Sequence, residues 1–154
     1  MASPFTSWLL TRSLETVGLR MEKQAANAAI VAKFLNEHPK VGKVYYLDLL
    51  EEGSPAHSIF KKQQKSAGAM MAFDVKGGEK EAFAFLNSLQ LIHLAISLGS
   101  TETLASHPYT MSSSNMAEAD RLKNNITPAL VRISIGIENP DDLIKDLSQA
   151  LNNI

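Results

Sequence analysis

Apolar residues near the start of the chain recur at intervals of three and four, which predicts an amphipathic helix. The recurring positions are Leu10, Leu14, Val17, Met21, Ala25, Ala28, Val31 and Leu35. A Ser3-Pro4 pair is a typical helix start, and a residue before proline, here His38, is pushed out of helical geometry. We therefore expect one long helix over residues 1–38, which Gly18 could bend.

This helix would be about 51 Å long at 1.5 Å per residue, which exceeds a compact domain of this size. Its first turns carry Phe5, Trp8 and Leu9. We expect these side chains to pack on something outside the domain. The alternative is a helix that wraps around its own core.

Alternation with period two predicts strands in the rest of the chain. The clearest case is residues 130–137 (LVRISIGI), which place Arg132 and Ser134 on the face opposite Val131 and Ile133. Further strands are expected at residues 44–47, 69–75 and 91–96. Helices are expected at 54–65, capped by Ser54-Pro55, at 79–89, at 117–124 and from the cap Asn139-Pro140 onward. Residues 39–154 are thus predicted to form an α+β domain, a small and mostly antiparallel sheet of about four strands with helices on one face. With the first helix they make one structural unit.

Composition narrows the class of protein. The chain has 154 residues, of which 45% are hydrophobic, so one domain is expected. Fifteen basic and sixteen acidic residues give a net charge of −1 without a basic stripe, so nucleic acid is not an expected partner. There is no run of eighteen apolar residues, so no membrane association is expected. The absence of cysteine excludes disulfides and thiolate metal sites, and we expect a cytoplasmic protein.

Candidate chemistry lies where the apolar run 91–96 stops at Ser97 and the small residues after it. A strand arginine such as Arg132 must reach solvent, pair with a structural carboxylate, or bind an anion with its planar fork. The four histidines lack ligand spacing, so zinc is not expected, and His107 beside Pro108 is either a loop constraint or a base.

Several segments together resemble one known family. They are SLETVGLRM (13–21), HPKVGKVYYLDL (38–49), AMMAFDVKGG (69–78), SLGSTETLASHP (97–108), MSSS (111–114) and LVRISIGIENPDDLIKDLSQAL (130–151). Together they resemble the carboxyl-terminal domain of the pyridoxal-phosphate-dependent Cys/Met metabolism family, which includes cystathionine γ-synthase, cystathionine lyases and methionine γ-lyase. The resemblance implies the corresponding domain of a fold-type I enzyme, whose first helix links it to a large cofactor-binding domain.

The resemblance also implies roles for individual residues. Arg132 would bind the α-carboxylate of the substrate, and Ser97 would lie beside cofactor and substrate. Ser112 keeps the hydroxyl of a pocket-lining threonine, whereas Ser113 replaces a histidine. Ile96 precedes the serine and favours a substrate with an apolar or neutral tail, although it could simply pack in a strand.

The family's Schiff-base lysine lies in a Ser-x-[Thr/Ser]-Lys context that this sequence lacks. The resemblance therefore implies pyridoxal 5'-phosphate in a parent enzyme, with the lysine, the catalytic residues and the large domain outside this chain, which alone should not turn over. The parent would be a homo-oligomer, a tetramer, that performs elimination or replacement at Cγ or Cβ of methionine, homocysteine, cystathionine or O-acylhomoserine. The alternatives are a stand-alone, non-catalytic amino-acid-binding module and a truncated fragment.

Overall fold

The computed structural model describes residues 1–154 as a mixed structure of six α-helices and five strands. The helices are α1 Pro4–Leu14, α2 Val17–Glu37, α3 Pro55–Gln63, α4 Glu79–Ser88, α5 Glu118–Lys123 and α6 Pro140–Asn152, with a 3₁₀ turn at Leu47–Leu49. The strands are β1 Val41–Tyr45, β2 Met70–Val75, β3 His93–Leu94, β4 Leu104–Ser106 and β5 Leu130–Ser134. The predicted fold class is confirmed, with one strand more than expected.

The five strands form one sheet in the order β1-β2-β5-β4-β3. All neighbours are antiparallel except β3 and β4, which run parallel. The strand expected over residues 91–96 is only two residues long, because Asp146 of α6 accepts hydrogen bonds from the main-chain N–H groups of Gln90, Leu91 and Ile92. These three amides are therefore used by a helix side chain and not by a strand ladder.

The core lies between one face of the sheet and the helices. Its central side chains come from alternate positions of β2, of β5 and of the residue that follows it: Met71, Phe73, Val75, Val131, Ile133 and Ile135. Helices α2, α4 and α6 cover this face, and the ring of Phe73 lies 5.6 Å from that of Phe85 on α4. The period-two prediction is thus confirmed for β2 and β5, and the face bearing Arg132 is the one without helices.

The prediction of a single helix over residues 1–38 is wrong. The helix is interrupted at Glu15 and Thr16, and Thr16 has a non-helical backbone with φ −108° and ψ 4°. Arg20 stabilises the break, because its Nη2 donates to the Ser13 carbonyl at 2.8 Å and its Nε to Thr16 Oγ1 at 3.3 Å. Gly18 lies within α2 and is not the point of bending.

Three predicted helix caps are confirmed. Ser3, Ser54 and Asn139 each accept a hydrogen bond from a main-chain N–H in the first turn of α1, α3 and α6 respectively. Each cap precedes a proline at the first helical position. The start of all three helices was therefore readable from local sequence.

Helix α1 contains no buried residue, and the side chains of Phe5, Trp8 and Leu9 are 68%, 56% and 51% exposed. Such contiguous apolar surface marks interaction sites or causes aggregation. We expect the full chain to self-associate and a chain without residues 1–10 to do so less, since the deletion removes no core contact. Light scattering over a concentration series measures this, and equal mass and solubility of both proteins would contradict it.

Candidate functional site

The structure brings together Arg132 and Ser97, the two residues expected at the site. Arg132 is half-buried on the open face of the sheet, between its cross-strand neighbours Ala72 on β2 and Ser106 on β4. Its Nη2 donates to the Ser97 main-chain carbonyl at 3.1 Å. The segment after β3 therefore lies over this face and meets the arginine through its main chain.

Arg132 has no carboxylate partner. The only ion pair in the structure joins Lys145 and Asp142, near the start of α6. Arg132 makes one side-chain hydrogen bond, to Ser97, and the guanidinium carries five N–H donors in one plane. The structural-carboxylate interpretation of this arginine is therefore not realised, and most of its donors are free to bind an anion.

Asp74 is the carboxylate on the open face of the neighbouring strand, and other groups occupy it. The Thr127 hydroxyl donates to one carboxylate oxygen at 2.6 Å, and the Tyr45 hydroxyl donates to the other at 3.1 Å. Burial raises the pKa of Tyr45, and the Asp74 charge and hydrogen bond raise this pKa further. Asp74 is thus hydrogen-bonded through both of its carboxylate oxygens to hydroxyl groups, and no hydrogen bond joins it to Arg132.

The segment 97–103, which carries Ser97, is anchored at three points. The Gly99 N–H donates to Ser134 Oγ at 2.9 Å, and Gln24 of α2 donates to the Ser100 carbonyl at 2.6 Å. The main-chain N–H and the hydroxyl of Thr103 donate to the two carboxylate oxygens of Glu138. The position of Ser97 relative to Arg132 is therefore set by polar contacts from β5, from α2 and from the turn after β5.

Gly136 bonds through its main chain to both segment 97–103 and α2. Its N–H donates to Thr103 Oγ1 at 2.9 Å, and its carbonyl accepts from Asn27 Nδ2 of α2 at 3.1 Å. A Cβ at this position would overlap the Thr101 carbonyl oxygen and the Glu138 carboxylate. Only glycine permits this close approach of segment 97–103 to the end of β5.

Sequence reasoning missed the partners in this network. Gln24 and Asn27 are 1% exposed, and they interrupt the core-facing side of α2 with polar groups. Two amides on the buried side of a helix were a signal, because buried polar groups must find hydrogen-bond partners. Their partners are more than 75 residues away in sequence, so their identity was not readable.

The other two predicted site residues, Ile96 and Ser112, lie outside the strands. Ile96 is 60% exposed beyond the end of β3, so it does not pack within a strand. Ser112 is exposed in the loop after β4, and no hydrogen bond joins it to Arg132 or Ser97. Ile96 is therefore an exposed chain neighbour of Ser97, and no contact links Ser112 to Arg132 or Ser97.

His107 has the loop-constraint role of the two alternatives. Its side chain is 1% exposed, its Nε2 donates to the Pro128 carbonyl at 2.8 Å, and its Nδ1 is hydrogen-bonded to Thr110 Oγ1 at 2.8 Å. Both ring nitrogens are thus occupied, Nδ1 within the loop after β4 and Nε2 by the segment before β5, which leaves neither free to act as a base.

Two further observations describe the whole chain. No group of three or more His, Cys, Asp or Glu side chains is arranged to hold a metal ion. None of the helices is both long and apolar enough to cross a bilayer.

The chain is similar in sequence to curated enzymes over nearly its whole length. It is 45% identical over 151 residues to an L-methionine gamma-lyase of Fusobacterium nucleatum subsp. polymorphum, covering 98% of this chain and 38% of that protein. It is 43% identical over 151 residues to a cystathionine gamma-lyase of Bacillus subtilis, covering 98% of this chain and 39% of that protein. The chain thus spans about two fifths of the length of these relatives.

Solved structures have the same fold. A cystathionine gamma-lyase of Lactobacillus plantarum complexed with L-serine superposes with a TM-score of 0.91 at 37% identity, covering 100% of this chain and 40% of that one. A Campylobacter jejuni protein described as an O-acetylhomoserine (thiol)-lyase, with N'-pyridoxyl-lysine-5'-monophosphate, gives 0.90 at 39% identity, covering 97% and 35%. The family model for Cys/Met metabolism PLP-dependent enzymes matches residues 1–152. The resemblance of the sequence motifs is thereby confirmed, and the chain belongs to the Cys/Met metabolism PLP-dependent enzyme family.

Proposed function

We propose that this chain is the carboxyl-terminal domain of a pyridoxal-phosphate-dependent enzyme of sulfur amino acid metabolism, and that it binds the α-carboxylate of the substrate. The observation that carries the proposal is the free guanidinium of Arg132. It faces the open side of the sheet with one bond to the Ser97 carbonyl, while Asp74 is held by Tyr45 and Thr127.

Arg132 binds the carboxylate through two parallel, charge-assisted hydrogen bonds, which fix the direction of the amino acid as well as its affinity. This orientation sets the bonds at Cα relative to the reacting groups of the parent. Ser97 lies beside the bound amino acid, and Ser112 contributes the hydroxyl that a threonine supplies in the resembled family. The L-serine complex of the related Lactobacillus plantarum enzyme supports an amino acid as the ligand.

Ile96 favours a substrate whose side chain is apolar or neutral. It is exposed next to Ser97 and carries no group that could pair with a distal ammonium or carboxylate. The methionine gamma-lyases among the relatives act on such a substrate. We therefore propose methionine or an O-acylhomoserine ahead of cystathionine.

The residues gathered at Arg132 do not fit covalent attachment of pyridoxal phosphate. No lysine is hydrogen-bonded in this cluster, and several lysines are engaged elsewhere: Lys40 with carbonyls of Asn152 and Ile154, Lys76 with Pro39 O, Lys145 with Asp142, and Lys43 and Lys61 over aromatic rings. We propose that the cofactor lysine belongs to a large domain in the remaining length of a cytoplasmic, tetrameric parent. The carbanion chemistry that this cofactor supports then requires that domain.

Nuclear magnetic resonance of the Arg132 side chain tests carboxylate binding by the chain itself. We expect L-methionine to shift the Arg132 Nε–H signal with saturation, since two charge-assisted hydrogen bonds form. L-methioninol keeps the side chain and the amine but lacks the carboxylate, so it is the matched control and should cause no such shift. Equal responses to both compounds, or none to L-methionine, would contradict the proposed function.

A further inference from the structure

Arg132 and Ser134 hold the same short segment from the same face of β5. Side chains two apart on a strand share a face, and both residues lie opposite the buried Val131, Ile133 and Ile135. Arg132 Nη2 donates to the Ser97 carbonyl at 3.1 Å, and Ser134 Oγ accepts from the Gly99 N–H at 2.9 Å. Arg132 and Ser134 are two residues apart on the strand, and their partners Ser97 and Gly99 are two residues apart on the segment. The two hydrogen bonds are therefore neighbours along β5.

The hydrogen bond to Ser134 is the more buried of the two. Ser134 is 1% exposed, whereas the hydrogen bond from Arg132 is exposed to solvent. Gly99 has φ +76°, a conformation that glycine adopts without strain, so the segment turns at the residue that Ser134 holds. Only Leu98 separates this anchor from Ser97. The position of the Ser97 carbonyl therefore depends on the Ser134 hydroxyl.

Carboxylate binding by Arg132 depends on the orientation of its planar guanidinium group. A guanidinium binds a carboxylate through two parallel bonds only when its free edge lies in the plane of the ligand. The Ser97 carbonyl takes one Nη2 hydrogen and thereby limits the rotation of the group. The remaining donors then keep a fixed direction relative to the sheet.

We propose that Ser134 is a positioning residue for the amino-acid carboxylate. Its hydroxyl fixes segment 97–99, the Ser97 carbonyl holds Nη2 of Arg132, and the free edge of the guanidinium is thereby preset for the ligand. This inference deepens the proposed function and rests on it for the identity of the ligand. Ser134 itself does not touch the ligand.

The chain offers a matched control in Ser106. This serine is on β4, directly opposite Arg132 on the same face, and it is fully buried like Ser134. Its hydroxyl has no hydrogen-bond partner. Ser106→Ala therefore removes a hydroxyl oxygen from the same face without removing a hydrogen bond.

The test compares Ser134→Ala and Ser106→Ala of the full chain by nuclear magnetic resonance, with melting curves to establish folding. Without ligand, Ser134→Ala should raise hydrogen exchange at the Gly99 amide by roughly 3- to 10-fold, the loss expected for one hydrogen bond, and displace the Arg132 Nε–H signal. With L-methionine as the probe, its apparent Kd at Arg132 should rise by a similar factor. Ser106→Ala should change the Gly99 exchange rate and the Kd by less than about twofold, and it should displace the Arg132 Nε–H signal less than Ser134→Ala does.

The inference is overturned if Ser134→Ala leaves Gly99 exchange and the Arg132 signal unchanged, or if Ser106→Ala alters them equally. The two proposals fail separately. If L-methionine does not shift Arg132 in the unsubstituted chain, the proposed function is wrong, and the ligand-free measurements still decide whether Ser134 positions the segment and the guanidinium.

Discussion

Replacing Arg132 with lysine is expected to lower kcat/KM by about ten- to a hundredfold, because lysine keeps the charge but loses the planar fork. A charge-assisted hydrogen bond contributes roughly 1.5 to 3 kcal/mol, which corresponds to that range for one lost contact. The measurement is the steady-state breakdown of L-methionine by a chimera in which this chain replaces the matching 38% of the Fusobacterium nucleatum enzyme. The reference is the unsubstituted chimera.

Arg121→Lys provides the matched control for this experiment. Arg121 is also half-buried, and its Nη1 donates to a single main-chain carbonyl, that of Tyr109, at 3.0 Å. It lies on α5 and shares no hydrogen bond with Arg132 or Ser97, so its replacement should leave kcat/KM within about twofold. If Arg132→Lys folds normally and also stays within about twofold, Arg132 is a structural arginine.

Replacing Gly136 with alanine is expected to destabilise the chain by about 3 kcal/mol, the upper range for forcing extra atoms into a packed site. The new Cβ would overlap the Thr101 carbonyl and the Glu138 carboxylate, so the turn after β5 must move. For a domain of this size the loss corresponds to a fall in Tm of about 6–12 °C. Thermal unfolding followed by circular dichroism measures it.

Gly18→Ala is the control for this substitution. Gly18 lies in α2, and a Cβ there would meet no atom within 4 Å. Alanine should stabilise the helix by about 0.5–1 kcal/mol, since it restricts the unfolded chain and favours helical geometry. A Tm for Gly136→Ala equal to or above that of the unsubstituted chain would show that the close approach at Gly136 is not required.

The sequence predicted those parts of the fold that depend on neighbouring residues. The alternation in β2 and β5 was readable because the side chains that face the helices are apolar, whereas the opposite face carries Asp74, Arg132 and Ser134. The three Ser/Asn-Pro helix starts were readable because a cap acts within one turn. The break at Thr16 was missed, because Arg20 stabilises it with a side chain one turn away while the apolar pattern continues across it.

Of the predicted site residues, Arg132 and Ser97 are joined by a hydrogen bond in the structure, whereas their role at a substrate site stays a prediction. Whether the arginine is free depends on Tyr45 and Thr127, which occupy Asp74 from elements far apart in sequence. The hydrogen bonds from Thr103 to Glu138 likewise join residues 35 positions apart in sequence, which no local pattern predicts.

A crystal structure of the chain grown with L-methionine tests the central claim most directly, because it locates the carboxylate relative to Arg132. The account predicts both carboxylate oxygens at about 2.7–2.9 Å from guanidinium nitrogens of Arg132, with Nη2 still bonded to the Ser97 carbonyl. A carboxylate bound elsewhere, with Arg132 turned onto a protein carboxylate such as Asp74, would contradict it.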